Sequence, residues 1–472
     1  MNVIDLISVF APEVWLSAML VVLLLVKIFS EGVNRTNVLF VISFFFLAAA
    51  TATLVLKPQG SLFGGMFVVN SLIGIEKAIL LLATFFISLL AFEWLRTFRN
   101  YIEFYLLLIC ILLGMFIMIS AGHFLSFYLG LEMATIPLAA LSAFEVEKPR
   151  SGEAGMKLIL SSAFSSGILL MGISFMYGTC GSLYFDDVRA AFNGSTIQLA
   201  GFAFLLAGFA FKISIVPFHL WTADVYEGSP VAVTAFLSVV SKGAAVFIFL
   251  GALYNVFGSI SGTWVYLLAI LSVATMVLGN LFAIRQQNIK RFLAFSSITQ
   301  AGYILIGIAS GTIQGTASVI YFILVYLFSN LAAFTVVGVI SEKTGKEDIS
   351  DYNGLYKTNP RLSLVMMLAL FSLAGIPPTA GFFGKWFLLA SGISNGMFTL
   401  IIIASLNLVI SLYYYLRVVK AMFVDVNDSP LKSIHAGFPA RLGLVICSAA
   451  IILTGFFSFV YQYIYSFSNG LQ

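Results

Sequence analysis

Runs of about 20 apolar residues, separated by short polar connections, follow one another along the whole chain. A run of this length forms a helix that is long enough to cross the hydrocarbon core of a bilayer. The runs do not alternate between polar and apolar residues, as the strands of a transmembrane β-barrel do. The pattern therefore predicts an all-α polytopic membrane protein with about 14 transmembrane helices. The predicted spans lie near residues 10–30, 37–57, 72–94, 102–119, 122–144, 155–178, 197–225, 229–256, 262–283, 289–309, 315–342, 361–391, 395–423 and 440–466.

The amino-acid composition supports this interpretation. Of 472 residues, 61% are hydrophobic and only 9% are charged, and the mean hydropathy is +1.05. No soluble core needs so much apolar surface, and the short connections leave no room for a soluble domain. The first run, 10–30, follows neither a basic leader nor a small-residue cleavage site, so we expect a retained helix and not a signal peptide.

Motifs for redox or nucleotide chemistry do not occur in the sequence. Cys110, Cys180 and Cys447 lie far apart and form no CxxC pair, which argues against an Fe–S or zinc site in this chain. There is no GxGxxG after a strand pattern and no P-loop. We therefore expect no cofactor and no metal in this chain.

Basic residues predict the orientation of the spans. Most of the 24 lysine and arginine residues fall in the odd-numbered connections. The positive-inside rule then places those connections in the cytoplasm and both termini outside. Lys57, Lys77 and Arg189 are predicted on the opposite, outer side, whereas Lys212, Lys242 and Lys385 fall inside predicted spans.

The stretch 204–242 contains two of these lysines, Lys212 and Lys242, in sequence that is otherwise apolar enough to span a bilayer. A charged side chain within hydrocarbon costs several kcal/mol, so its presence calls for a functional explanation. Glu132 is the carboxylate nearest the middle of a predicted span. We expect Glu132, Lys212 and Lys242 to share one depth near the centre of the membrane.

Two of the predicted spans contain helix-breaking residues. Pro217 follows Lys212 by five residues in the seventh span, and Gly375, Pro377 and Pro378 precede Lys385 in the twelfth. A simple packing kink is the alternative explanation, but paired interruptions at corresponding positions favour an internal repeat with an ion site at the midplane. The predicted fold therefore has two inverted five-helix repeats with discontinuous seventh and twelfth helices. The expected units are residues 1–101 (helices 1–3), 102–256 (first repeat), 257–423 (second repeat) and 424–472 (last helix).

Buried lysines and a carboxylate suit proton transfer. Burial favours release of the lysine proton and a neighbouring carboxylate favours its retention, so a Glu–Lys pair of variable separation acts as a switch. Glu132 with Lys212 is the candidate pair, and Lys242 is the next acceptor. His219, close to Pro217, could relay protons or could equally bond a carbonyl of the broken helix. Three sets of polar residues recur at helical spacing, and each could line a hydrated path or could bond its own helix backbone. The first set is Lys157, Ser161 and Ser165, the second is Thr234, Ser238 and Lys242, and the third is Ser296, Gln300 and Tyr303.

Four blocks of sequence together resemble the antiporter-like membrane subunits of complex I. They are LGLEMATIPLAAL around Glu132, FKISIVPFHLWTADVYEGSPVAVTAFLSVVSKGAAVF, NIKRFLAFSSITQAGYILIGIA and DYNGLYKTNPRLSLVMMLALFSLAGIPPTAGFFGKWFLL. Within that family the chain is most similar to the N-type subunits. Lys242 stands where the L and M types usually carry a histidine-led HAATMV stretch, Lys385 stands where the M type usually has glutamate, and the chain ends soon after the fourteenth span.

The resemblance implies a function and a set of residues. Glu132, Lys212, Lys242 and Lys385 match the family's glutamate and lysines of the fifth, seventh, eighth and twelfth spans, and Lys157 matches a lysine frequent in the N type. The first four groups are implied to form a proton relay in a subunit of a proton-translocating NADH–quinone oxidoreductase of the bacterial inner membrane. Lys157 could join this relay or could be an interfacial lysine that snorkels to the cytoplasmic end of its span. FMN, Fe–S clusters and quinone are expected in other subunits. The implied partners are the lipid bilayer, antiporter-like subunit M and small membrane-arm subunits, with no nucleic acid.

Two other interpretations remain open at this point. Subunits of multisubunit cation/proton antiporters share the same core, and a structural scaffold could hold lysines that merely pair within the helix bundle. The lysine at position 242 favours the complex I interpretation, and the midplane position of the charges argues against the scaffold.

Overall fold

A computed structural model describes residues 8–29, 34–427, 430–457 and 459–468. It is 83% helical, and 13 of its helices are long and apolar enough to cross a membrane. The predicted twelfth span is not among these 13 because it is divided into two shorter helices, and with it the number of spans is 14. The predicted all-α polytopic fold is thus confirmed. Both termini were predicted on the outer side of the membrane, and they lie outside the described residues.

The helices follow the predicted spans closely. In chain order they are α1 Ala11–Phe29, α2 Arg35–Leu56, α3 Ser71–Thr97, α4 Tyr101–Ile119, α5 Phe124–Ser142, α6 Pro149–Cys180, α7 Phe185–Ala191, α8 Thr196–Ile213, α9 Leu220–Gly228, α10 Val231–Asn255, α11 Ser261–Arg285, α12 Ile289–Ala309, α13 Ile313–Thr344, α14 Leu355–Thr358, α15 Pro360–Ala374, α16 Ala380–Ser394, α17 Phe398–Phe423, α18 Phe438–Phe456 and α19 Phe459–Phe467. The predicted last span, 440–466, is divided between α18 and α19. Short 3₁₀ turns cover Phe63–Gly65, Gly258–Ile260 and Ile349–Tyr352.

Three helices form the centre of the bundle. The most apolar windows of α10, α12 and α13 are 94%, 100% and 89% buried, whereas that of α1 is only 28% buried. Helix α13 packs against α3, α10, α12, α15, α16 and α18. Polar residues on these three helices are therefore shielded from lipid, and Lys242 of the eighth span has its hydrogen-bond partner among them.

The interruptions of the seventh and twelfth spans have the same local geometry. Helix α8 is followed by the cap residue Ser214, whose φ is 66°, and α15 by the cap residue Gly375, whose φ is 86°. In each case the next residue is an isoleucine whose N–H donates five residues back, from Ile215 to Ala210 (2.8 Å) and from Ile376 to Phe371 (3.0 Å). These left-handed caps end the helix before the proline is reached. The predicted discontinuous helices are thus observed.

Two local features were not predicted. A hairpin of strands β1 Gly60–Leu62 and β2 Phe67–Val69 connects α2 to α3. Within α10, residues Leu237–Ser241 form a π-helical turn that ends directly before Lys242. Such turns widen a helix locally and are frequent at functional sites.

Lys77 was predicted among the residues of the outer connections, but it lies inside α3 and is fully buried. Its Nζ donates to Glu13 Oε1 of α1 at 2.6 Å, and it lies over the rings of Phe67 and Phe116. The basic-residue count treated Lys77 as a connection residue because it is near the start of its span. Its partner, 64 positions earlier, gave no sequence signal.

Glu13→Gln should destabilise the protein strongly, because it removes one partner of this buried ion pair and leaves Lys77 charged and unpaired. Breaking a buried pair in this way costs about 3–5 kcal/mol. We expect a clearly lower melting temperature of the purified protein in detergent. Glu103→Gln is the matched control, since Glu103 pairs with Lys27 at 2.9 Å where 47% of the Lys27 side chain is exposed. Equal melting temperatures for the two variants would contradict the argument.

Candidate functional site

Lys212 lies in the last turn of α8, beside α5. Its Nζ donates to Thr135 Oγ1 at 2.6 Å, and Thr135 in turn donates to the Leu131 carbonyl at 2.6 Å. Glu132 is one turn before Thr135 on α5 and close enough for a Coulombic interaction with Lys212. In this conformation the Lys212 ammonium is bonded to Thr135 and makes no ion pair with Glu132 within 4.0 Å, so the two members of the predicted pair are not in direct contact.

A small cavity of about 30 Å³ adjoins Lys212. Thr135 of α5 and Ser241 of α10 line it together with Lys212. A cavity of this size can hold a water molecule where two to four polar groups face it, and Thr135, Lys212 and Ser241 do so in a lining that is otherwise mainly apolar. Because Ser241 directly precedes Lys242, the cavity brings Lys212 next to the turn of α10 that carries the second lysine.

Lys242 is only 3% exposed and is held by α12. Its Nζ donates to the Ser297 carbonyl (3.1 Å) and to Ser297 Oγ (2.5 Å). One turn earlier on α10, the hydroxyl of Ser238 lies 2.7 Å from the Tyr326 hydroxyl of α13. Lys242 thus has hydroxyl and carbonyl partners, and none of its hydrogen bonds is to a carboxylate.

Lys385 is also only 3% exposed and lies on α16 directly beyond the second interruption. Its Nζ donates to the carbonyls of Leu373 (2.7 Å) and Ala374 (3.2 Å), the last two residues of α15. It lies 4.9 Å from the centre of the Tyr303 ring. A cation at the C-terminal end of a helix is stabilised by the helix dipole, so the interruption provides the binding site for this charge.

Helix α12 connects the two halves of the site. Gln300 is three residues after Ser297 and therefore lies on the same face. Its Nε2 donates to the Leu373 carbonyl (3.2 Å), which also accepts from Lys385, and to the Tyr415 hydroxyl (3.1 Å). One turn of α12 thus separates the serine bonded to Lys242 from the glutamine that shares a carbonyl with Lys385.

Several buried polar atoms along this line have no hydrogen-bond partner within the described part of the chain. They are Glu132 Oε1, His219 Nε2, Gln300 Oε1 and both side-chain atoms of Asn330. Leaving such an atom unpaired costs about 1–3 kcal/mol, so buried polar groups normally bind water when protein partners are absent. These atoms are therefore candidate positions for bound water in the interior.

The remaining two predicted site residues, His219 and Lys157, form no hydrogen bond with Lys212, Lys242 or Lys385. His219 is buried at the first interruption, with Nδ1 3.3 Å from the Pro217 carbonyl oxygen. Lys157 is 42% exposed and forms ion pairs with Glu153 and Asp224, each at 2.7 Å. Asp224 also accepts from Arg291 at 2.6 Å, so Lys157 belongs to a charged cluster at the end of α9.

Two large cavities lie at opposite ends of α10. One, of about 530 Å³, is lined by Val231 and Ala232 at the start of α10 and by Lys290 of α12. The other, of about 620 Å³, is lined by Gly251 and Asn255 near the end of α10. Lys242 lies between them on the same helix. The first cavity is bordered by the predicted cytoplasmic connections, and the second by the predicted outer ones.

Some of these residues could not be singled out from the sequence. Ser297, Tyr326 and Lys290 occur in spans rich in similar residues, and only their contacts distinguish them. The stripe Ser296, Gln300 and Tyr303 was recognised, and its members contact Tyr415, Leu373 and Ala404 of the second half. Among the residues that the structure describes, no three His, Cys, Asp or Glu side chains form a group that could hold a metal ion.

Comparison with known proteins identifies the family. Residues 121–411 match the family model described as NADH:quinone oxidoreductase/Mrp antiporter, TM. The chain belongs to this family. NADH-quinone oxidoreductase subunit N of Phocaeicola vulgatus is 50% identical over 406 residues, covering 85% of this chain and 86% of that protein. The subunit N of Azobacteroides pseudotrichonymphae is 50% identical over 417 residues, covering 87% of each. The predicted resemblance to the antiporter-like subunits, and to their N type, is confirmed.

Solved structures of the family share the fold. A chain of respiratory complex I from Thermus thermophilus superimposes with a TM-score of 0.79 at 28% identity, covering 94% of this chain and 96% of that one. A chain of the Mrp complex from Dietzia sp. superimposes with a TM-score of 0.86 at 21% identity, covering 98% and 97%. At that identity the second match shows the NADH:quinone oxidoreductase/Mrp fold alone.

Proposed function

We propose that this chain is the N-type membrane-arm subunit of a proton-translocating NADH–quinone oxidoreductase in a bacterial inner membrane. Its role is to move protons across the membrane, coupled to electron transfer from NADH to quinone in other subunits. Those subunits would hold the FMN and the Fe–S clusters and would bind the quinone. Its partners would be subunit M and the small membrane-arm subunits, with the basic connections on the cytoplasmic side.

One observation supports this function above all others. Lys242 and Lys385 are buried within the bundle and have no ion-pair partner among the residues that the structure describes, and cavities reach α10 from its two ends. A structural charge would be expected to have a carboxylate partner, as Lys77 has in Glu13. A lysine that must gain and lose its proton is better served by neutral partners, which allow both charge states.

The contacts suggest an order of transfer. Glu132 stabilises the charged form of Lys212, and the water-sized cavity beside Thr135 and Ser241 would carry the proton towards Lys242. From Lys242, the Ser297–Gln300 face of α12 leads to Lys385. The two interruptions supply polar backbone groups in the membrane interior, which is tolerated where the backbone lines a hydrated space.

The other two candidate residues have supporting roles in this proposal. His219, with its unpartnered Nε2 at the first interruption, would exchange protons with water near Lys212. Lys157 would position the end of α9 through Asp224 rather than carry protons through the centre. The residues 102–256 and 257–423 would be the two inverted repeats, each containing one interrupted helix.

Purification of the tagged chain in mild detergent distinguishes this function from that of a cation/proton antiporter. If the chain is part of an NADH–quinone oxidoreductase, the preparation should show flavin and Fe–S absorbance and should oxidise NADH. A preparation that lacks both cofactors, and that exchanges sodium for protons after reconstitution, would contradict the proposal and support the antiporter.

Lys212→Ala should slow NADH-driven proton pumping in membrane vesicles at least about tenfold, because a positioned proton donor is lost. The control is Lys27→Ala, which removes an exposed lysine from the Lys27–Glu103 pair. That variant should pump at the wild-type rate. Reduction of an artificial acceptor by NADH should be unchanged in both variants, which verifies that the complex is assembled. Equal pumping by the two variants would remove Lys212 from the relay.

A further inference from the structure

The 620 Å³ cavity ends at a carboxylate that the relay described above does not use. On α3 the cavity is lined by Ile73 and Glu76 after the N-cap residue Asn70, and on α10 by Ile248, Gly251 and Asn255. Residues 70, 73 and 76 lie on one face of their helix because they are three apart. Asp186, Asp187 and Arg189 line the same cavity and are exposed, so its mouth is charged.

Glu76 is only 2% exposed although it forms part of the cavity wall. Within residues 8–29, 34–427, 430–457 and 459–468, its carboxylate has neither a hydrogen bond nor an ion pair within 4.0 Å. The neighbouring Lys77 is engaged by Glu13 at 2.6 Å. An almost fully buried carboxylate that faces a cavity and lacks a direct partner is expected to bind water or a proton.

Glu76 lies between the cavity and the level of Lys242. A Cβ atom at Gly243, the residue after Lys242, would lie 3.4 Å from the Leu80 side chain of α3. Leu80 is one helical turn from Glu76, which places Glu76 about 6 Å farther along α3, towards the cavity. The cavity reaches α10 at Phe247 and Ile248, one to two turns beyond Lys242. Glu76 is therefore a cavity-lining carboxylate one helical turn from the part of α3 that packs beside Lys242.

We propose that Glu76 is a proton-transfer group that connects Lys242 to the cavity on the side opposite the basic connections. A proton leaves the Lys242 ammonium through water and is taken up by the Glu76 carboxylate, leaving a neutral amine and a carboxylic acid. The acid then gives the proton to water in the cavity and regains its negative charge. This inference rests on the proposed function, and it assigns one exit or entry route to the central lysine.

Glu76→Gln tests the inference because it keeps the shape of the side chain but cannot carry a proton. We expect at least a fivefold loss of NADH-driven pumping, with normal reduction of an artificial acceptor, and substantial recovery in Glu76→Asp. Glu103→Gln, at a partly exposed carboxylate that does not line the cavity, should pump normally. A purely structural role for Glu76 would instead leave Glu76→Gln active or make Glu76→Asp as defective as Glu76→Gln, and either result would overturn the inference.

Comparison with Lys242→Ala separates the two levels of the proposal. If Lys242→Ala is defective and Glu76→Gln pumps at the wild-type rate, only the Glu76 inference is wrong. If both variants pump at the wild-type rate, the proposed function of the lysines fails and the inference fails with it.

Cysteine labelling tests the water-filled passage without relying on activity. In a Cys180→Ser background, Gly251→Cys in the assembled complex should react with a membrane-impermeant maleimide added from the side opposite the basic connections. Ala252→Cys is the control, since Ala252 is 2% exposed and faces away from the cavity. Equal labelling of the two positions, or labelling of Gly251→Cys only from the basic side, would overturn the inference.

Discussion

Lys242→Ala should reduce NADH-driven proton pumping at least about tenfold, as large a functional effect as we expect of any single substitution in this chain. The reason is the position of Lys242 between the two large cavities, on a helix that both of them reach. The substitution removes the proton carrier and leaves a space beside Ser297 that water alone would fill. Proton uptake by sealed membrane vesicles, measured with a pH-sensitive dye, provides the test.

The control for Lys242→Ala must be a lysine with a structural role that is also located in a span. Lys157 is suitable because it is in α6 but 42% exposed and paired with Glu153 and Asp224. Lys157→Ala should retain most of the pumping rate. If Lys157→Ala were as defective as Lys242→Ala, a buried position between the two cavities would not distinguish lysines that carry protons from those that do not.

Gly381→Ala should prevent stable assembly of the second interrupted helix, the largest structural effect that we expect. A Cβ atom at position 381 would overlap the Ser372 carbonyl oxygen and crowd the Ser372 hydroxyl. The same hydroxyl accepts from the Gly381 N–H at 3.1 Å and from Ser329 at 2.7 Å, so it cannot move without losing both bonds. Overpacking of this kind costs about 3 kcal/mol or more. The amount of chain in washed membranes should fall sharply.

Gly167→Ala serves as the matched control for Gly381→Ala. Both glycines are helical, but no atom lies within 4 Å of a Cβ built at Gly167. Because alanine favours a helix over glycine by about 1 kcal/mol, this variant should be as abundant as the wild type or more so. Normal abundance of Gly381→Ala would show that the junction of α15 and α16 can expand.

The helices could be predicted from the sequence because hydrophobic length alone determines whether a segment can span a bilayer. The interruptions were also predictable, since proline cannot continue a helix and Gly375 is suited to a left-handed cap. The hairpin of β1 and β2 was missed, because six strand residues between two long helices give no periodic signal. The π-helical turn before Lys242 leaves no sequence pattern that distinguishes it from an α-helix.

The buried lysines could be predicted individually, but their partners could not. A charge within an apolar run is conspicuous, which is how Lys212, Lys242 and Lys385 were found. Which atoms they contact depends on how neighbouring helices are rotated, and a single sequence does not determine that rotation. Lys212 therefore binds Thr135 where Glu132 was expected. The burial of Glu76 could not be predicted for a related reason, because a carboxylate near the start of a span has the sequence pattern of a surface residue.

The ratio of protons pumped to electrons transferred in Lys242→Arg vesicles tests the central claim most directly. Arginine keeps the positive charge on a slightly longer side chain, but it does not release its proton in proteins. If Lys242 must gain and lose a proton in each cycle, the ratio should fall below the wild-type value although the charge is preserved. A Lys242→Arg variant that pumps at the wild-type ratio would show that Lys242 contributes only its charge, and would contradict the relay.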